Sequence, residues 1–130
     1  MIFSLAVYAA PHSSQASDTA YKFASTLIAN GHKLYRVFFY HDGVHNSSAF
    51  LAPPQDEANL ATSWQILSKD FDVDLVVCVA AALKRGLLSE QEAKRYDKPG
   101  HNLLEHFEIS GLGQLVDAAV VSDRLITFGA

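Results

Sequence analysis

The run Asp74-Leu-Val-Val-Cys78-Val-Ala-Ala-Ala-Leu-Lys-Arg-Gly86 constrains the fold more than any other stretch, because the structural period changes inside it. Leu75, Val76 and Val77 make the short, apolar, branched run that a parallel strand needs when it is covered on both faces. Ala80 to Arg85 is strongly helix-forming and meets a stop at Gly86. A strand that feeds directly into a helix is the building unit of a parallel α/β sheet, and the junction lies at the carboxyl end of the strands, where ligands bind. Cys78 is the chain's one cysteine and falls on that junction. The unpaired N–H groups of a new helix favour negative charge nearby, which suits a thiolate. Free cysteine is also among the most buried residue types, and from this run alone inert packing stands slightly ahead.

The rest of the chain repeats the alternation. Ile2 to Tyr8 reads as a buried strand, and Ser17 or Asp18 is placed to cap a helix whose apolar face is Ala20, Phe23, Ala24, Leu27 and Ile28. Asn30-Gly31 ends that helix, and Lys33 to Tyr40 supplies a second strand. His41 to Pro54 is polar and turn-rich, so an irregular loop is expected at the same sheet edge as Cys78. Asp56 and Glu57 suit the start of a helix with Leu60, Ala61, Trp64, Leu67 and Phe71 on one face. Val73 to Val77 is the third strand. Ser89 and Glu92 have capping-box spacing and open a short polar helix through Arg95. Phe107 to Ile109 is a short fourth strand, Ser110-Gly-Leu-Gly-Gln114 turns into a helix through Val121, and Arg124 to Phe128 is the fifth strand. Five such units predict one α/β domain over 1–130, a three-layer α/β/α fold with a mainly parallel five-stranded sheet. This pattern leaves the strand order open.

Composition excludes several function classes. With 49% hydrophobic and 18% charged residues the chain has the makings of a packed core, and a net charge of −4 without a Lys/Arg stripe gives no reason to expect direct nucleic-acid binding. The apolar start, Met1 to Ala10, lacks a basic n-region and stops at Pro11, and no segment approaches a membrane helix. One cysteine excludes a disulfide framework, and with no secretion signal the expected compartment is the cytoplasm.

Each candidate for chemistry has a plainer alternative. His41 and His45 have helical metal-ligand spacing, but Gly43 argues against a helix there and no third ligand is evident, so they read as loop histidines, with an acid–base role near Cys78 left open for His41. Gly111 and Gly113 open a helix and could cradle an anion, yet the third glycine of a dinucleotide fingerprint is missing, and tight packing at a strand–helix turn is the better reading. No nucleophile elbow surrounds Ser13, Ser14 or Ser17. Cys78 remains. A dithiol oxidoreductase needs a second cysteine, whereas a single thiol can accept a sulfane sulfur from a persulfide and pass it on.

At these residues the sequence resembles the TusD/DsrE family of sulfur-relay subunits, over nearly its whole length. The resemblance rests on Gln15-Ala-Ser17 with Ala20 and Phe23-Ala24, on Val37-Phe-Phe-Tyr40 with Gly43-Val44, and on Pro53 with Asp56. Cys78-Val-Ala-Ala-Ala with Arg85-Gly86, then Ser110-Gly-Leu-Gly-Gln-Leu115, carry it furthest. It implies a DsrE-like fold and a sulfurtransferase whose carrier is Cys78, which overturns the inert-packing reading. It further implies a TusA-like donor and a TusE/DsrC-like acceptor, a heterohexamer with TusC/DsrF-like and TusB/DsrH-like subunits, and no metal or organic cofactor. Related complexes serve tRNA wobble 2-thiouridine formation or dissimilatory sulfur oxidation. Gly111 and Gly113 are then candidates for shaping the sulfur pocket and His41 for steering protonation; Arg85 reads more simply as a helix-end cation. The competing functions are a scaffold subunit that carries no sulfur and a nucleotide-binding module built on Gly111-Leu-Gly113.

Overall fold

Every strand expected from the apolar runs forms, and all four strand pairings are parallel. The computed structural model describes residues 1–129. Its elements are β1 (Ile2–Val7), α1 (Ala16–Ala29), β2 (Lys33–Phe39), a 3-10 helix (His41–Ser47), α2 (Leu60–Phe71), β3 (Asp74–Cys78), α3 (Val79–Lys84), α4 (Glu90–Arg95), β4 (Phe107–Ser110), α5 (Gly113–Val121) and β5 (Arg124–Phe128). The sheet order is β4-β3-β2-β1-β5.

That order decides the layers. The chain moves steadily from β1 to β4 and then returns across the sheet to β5. Parallel crossovers are right-handed, so the outward steps place α1 to α4 on one face and the return step places α5 alone on the other. The contacts agree: Phe3 meets Phe23 of α1, Phe39 meets Trp64 of α2, and Tyr21 of α1 meets Trp64, all edge-on or nearly so. On the opposite face Ser4 of β1 is hydrogen-bonded to Ser122 just beyond α5, at 2.7 Å. Leu5, Val7, Val37, Phe38, Phe39, Leu75, Val76 and Val77 are wholly or almost wholly buried, because strands covered on both sides have no solvent face.

Three local expectations change. Ser17 does not cap α1: the helix already begins at Ala16, and the buried Ser17 hydroxyl donates to the Ala9 carbonyl at 2.6 Å. Asp18 instead pairs with Lys22 one turn on, at 2.8 Å. α2 begins at Leu60 rather than at Asp56, because Asn59 has a better purchase; its side chain accepts from the Thr62 N–H at 3.3 Å and donates to the Leu51 carbonyl at 2.8 Å. The third change is the His41–Ser47 helix, where a loop was expected and Gly43 counted against helix. Gly43 is there for space: a Cβ at that position would stand 2.0 Å from the Val7 carbonyl oxygen. The expected Ser89 cap of α4 does form, its hydroxyl accepting from the Glu92 N–H at 3.2 Å.

At the amino end of the sheet the nearly buried Arg36 joins three elements. Its guanidinium donates to Asp74 of β3 at 2.7 Å and to Asp117 of α5 and the Gln114 carbonyl at 2.8 Å each. The Tyr35 hydroxyl also donates to Asp117, at 2.6 Å, and these donors hold the Asp117 carboxyl below the usual carboxylate range, Tyr35 contributing most. A carboxyl with a lowered folded pKa stabilises the fold above its unfolded pKa, and that stability is lost as the pH falls through the folded value. Asp117→Asn is therefore expected to make stability fall less steeply as the pH drops below about 4. Urea unfolding midpoints across that acid range measure it, and parallel curves for the two proteins would refute the assignment.

Candidate functional site

Cys78 ends β3 and is the residue from which α3 departs, with extended backbone at φ −61° and ψ 122°. It is 3% exposed. Its side chain makes no capping bond to α3, and the pleat explains where it goes instead. Successive strand residues point to opposite faces. Arg36 and Asp74 lie opposite each other and meet on the α5 side, and two residues on Phe38 lies opposite Val76. Two further, Tyr40 and Cys78 complete that row at the carboxyl edge. The thiol therefore belongs to the face that carries α5, with β2 on one side and Ser110 of β4, its register partner, on the other.

An aromatic group stands at the same edge. The His41 ring stacks on Tyr40 at 4.2 Å, and Tyr8 meets both rings edge-on at 5.6 Å and 5.4 Å. His41 adopts a left-handed backbone, φ 49°, to turn from β2 into the 3-10 helix. The structure thus brings His41 to the edge that holds Cys78 and engages its ring with the two tyrosines. Sequence reasoning did not single out Tyr8 and Tyr40 as parts of a site; the signal for them is that each follows the last residue of neighbouring parallel strands, so both must reach the carboxyl edge. Tyr40→Ala is expected to let iodoacetamide reach Cys78 several-fold faster in the folded protein. An unchanged alkylation rate would show that Tyr40 does not shield the thiol.

Gly111 and Gly113 also lie here. They follow Ser110, and Gly113 opens α5. Tight packing does not explain them, because a Cβ at either position meets nothing within 4 Å. The turn borders open space on the side of the sheet where the thiol lies. His45 sits with His41 in the 3-10 helix, and among the described residues no group of three His, Cys, Asp or Glu is placed to hold a metal ion. Arg85 does cap α3, donating to the Ala81 carbonyl at 3.2 Å, and it also donates to Asp42 at 2.8 Å. That bond holds the Asp42 carboxyl below its usual range and fastens the His41–Ser47 helix to α3.

The arrangement places one thiol at a carboxyl sheet edge that also carries Tyr8, Tyr40, His41 and the Gly111–Gly113 turn, with no second thiol in the chain. The fold is shared with the ychN protein from E. coli, whose crystal structure matches with a TM-score of 0.76 at 21% identity, over 98% of this chain and 97% of that one. DsrE of Allochromatium vinosum is 49% identical over 129 residues, 99% of each chain. A Pseudomonas aeruginosa protein named sulfurtransferase TusD homolog is 47% identical over 129 residues, 99% of this chain and 98% of that one. A protein of Enterobacter sp. named sulfurtransferase TusD is 44% identical over 128 residues, 98% of this chain and 100% of its own. The model of the DsrE/DsrF-like family matches residues 1–128, and with full-length relatives at these identities the chain belongs to the DsrE/DsrF-like family.

Proposed function

We propose that this chain is a sulfurtransferase subunit of a sulfur relay and that Cys78 is its carrier. The observation that supports this most is the position of the one cysteine, at the carboxyl edge of a parallel sheet, in a chain whose full-length relatives are named sulfurtransferases. The chemistry is a sulfane transfer without net redox change. The Cys78 thiolate attacks the outer sulfur of a donor persulfide, a new Sγ–S bond forms, the donor's S–S bond breaks, and the donor leaves as a thiolate. Cys78 then holds the persulfide until an acceptor thiolate attacks the outer sulfur and the step runs again in the forward sense. Both exchanges need a protein thiol to reach the carboxyl edge, where Tyr8, Tyr40 and His41 would frame the approach and the open Gly111–Gly113 turn would leave room for it.

The donor is a TusA-like carrier and the acceptor a TusE/DsrC-like protein. The chain works in a heterohexamer with TusC/DsrF-like and TusB/DsrH-like subunits, serving either wobble 2-thiouridine formation or sulfur oxidation. Intact-protein mass spectrometry after incubation with a persulfidated donor tests the reading. An added mass of one or more sulfur atoms, removed by reductant, is expected. No adduct even with the partner subunits present would favour a scaffold role, for which the burial of Cys78 is the supporting observation.

A further inference from the structure

Beyond the carboxyl-terminal end of α3 the chain encloses a hollow that the sulfur chemistry leaves unused. Phe50, Leu83, Leu88 and Pro99 wall a cleft of about 370 Å³, and neither Cys78 nor Tyr8, Tyr40 or His41 lines it. Three segments meet here, and Asn102 pins them together. Its side chain accepts from the Leu88 N–H at 2.9 Å and donates to the Gly86 carbonyl at 3.0 Å, while its own carbonyl accepts from the Ala49 N–H at 2.7 Å. A cleft held in this way is formed before anything enters it, so an occupant meets little ordering cost. Phe50 is nonetheless 73% exposed, which leaves one apolar wall without cover.

The charge at the cleft has one sign. Lys98 and His101 line it, and among the described residues no carboxylate does. Five of the chain's ten Lys and Arg residues fall between positions 84 and 98, against three acidic residues, so this region reverses the sign of a chain whose net charge is −4. Most of these cations are already matched. Arg85 bonds Asp42 at 2.8 Å, Lys94 bonds Glu90 at 3.4 Å, and Arg95 lies 3.8 Å from Glu92; Lys98 has no such partner among the described residues. Its backbone is fixed at the cleft by a bond from its N–H to the Ala93 carbonyl at 2.8 Å. We propose that the cleft binds a small organic anion, a monocarboxylate on an aryl or short alkyl body. The body lies against Phe50, Leu83, Leu88 and Pro99, and the carboxylate meets Lys98 and His101. The volume stands near the lower end of small-molecule sites, which limits the body to about one ring with a short tail. A cation is repelled here, and a neutral apolar molecule leaves Lys98 without a counter-charge.

Titration of the full chain with 4-phenylbutyrate, followed by amide nuclear magnetic resonance, tests the site. Saturable shifts confined to residues 48–50, 83–88 and 98–102 are expected, with a dissociation constant on the order of 1 mM, the range open to so small a ligand in a half-open cleft. 4-Phenylbutylamine, the same body with the opposite charge, should bind at least about fivefold more weakly, and Lys98→Glu should weaken the carboxylate by a similar factor. Phe50→Ala should weaken both compounds alike, because it removes apolar contact and no charge. Phe50 and Lys98 lie at the surface, so both variants should keep the wild-type circular dichroism. Equal binding of the acid and the amine overturns the proposal, as does binding that Lys98→Glu leaves unchanged. Shifts centred instead on the groove between α1 and α2, or none up to about 20 mM, overturn it as well. The readout involves no sulfur transfer, so its outcome is independent of the carrier role of Cys78.

Discussion

Cys78→Ser is expected to abolish sulfur acceptance while leaving the fold in place. A serine hydroxyl at the end of β3 has nearly the shape of the thiol, and its oxygen is neither ionised near neutral pH nor able to hold a transferable sulfane sulfur. Uptake from a persulfidated donor should fall at least about a hundredfold, to the background of the method. The stability cost is small by comparison. Burying the added hydroxyl costs roughly 1–2 kcal/mol if it finds no partner, within the reserve of 5–15 kcal/mol usual for a domain. Mass spectrometry and a thermal melt on the same preparation separate the two effects. A variant that melts normally and still accepts sulfur at the wild-type rate would remove Cys78 from the mechanism; one that accepts none yet supports full activity of an assembled complex would make this chain a scaffold.

Gly43→Ala should have the largest effect on stability of any glycine-to-alanine change among the described residues. The new Cβ would stand 2.0 Å from the Val7 carbonyl oxygen and 2.8 Å from its carbon, and both are backbone atoms. That carbonyl is already held, because it accepts the Tyr40 N–H at 3.0 Å. The helix around Gly43 is no freer to retreat. Fully buried Asn46 donates to the Gly43 carbonyl at 2.9 Å and to the Ser17 hydroxyl at 3.1 Å, and accepts from the Trp64 indole at 3.2 Å. Moving the helix breaks that set and leaves buried polar groups unpaired, at roughly 1–3 kcal/mol for each. We expect a loss of at least about 3 kcal/mol, or about 10 °C in melting temperature for a chain of this size. His41 begins the same helix and stacks on Tyr40 in the Cys78 row, so sulfur acceptance should suffer beyond what the loss of folded protein explains. A melting temperature within 2–3 °C of wild type, roughly the shift of a mild surface change, would mean that the backbone there yields.

The same glycine shows how much of the molecule was legible beforehand. The strand–helix alternation, the place of Cys78 at a junction and the capping serine of α4 were readable because each follows from neighbours within about one turn of chain. Gly43 was read as a helix breaker because a glycine carries no local sign of what lies against it. Gly111 and Gly113 were read as tightly packed for the same reason, and they border open space. Ser17 looked like a cap, since caps are local, and proved to be tied to Ala9 and Asn46.

The sequence by itself determined the class of fold, the five strands and the place of the one thiol at a strand–helix junction, through hydrophobic period, helix propensity and the count of cysteines. Only the tertiary structure decided the order β4-β3-β2-β1-β5, the face on which the thiol lies and the gathering of Tyr8, Tyr40 and His41 at the same carboxyl edge. It also decided that α5 stands alone with its valines outward. The physical reason is range. Period and capping act between residues a few positions apart, whereas strand order and the walls of a site come from non-local packing that joins segments 30 or more residues apart, such as Tyr8 with Tyr40 and Tyr35 with Asp117.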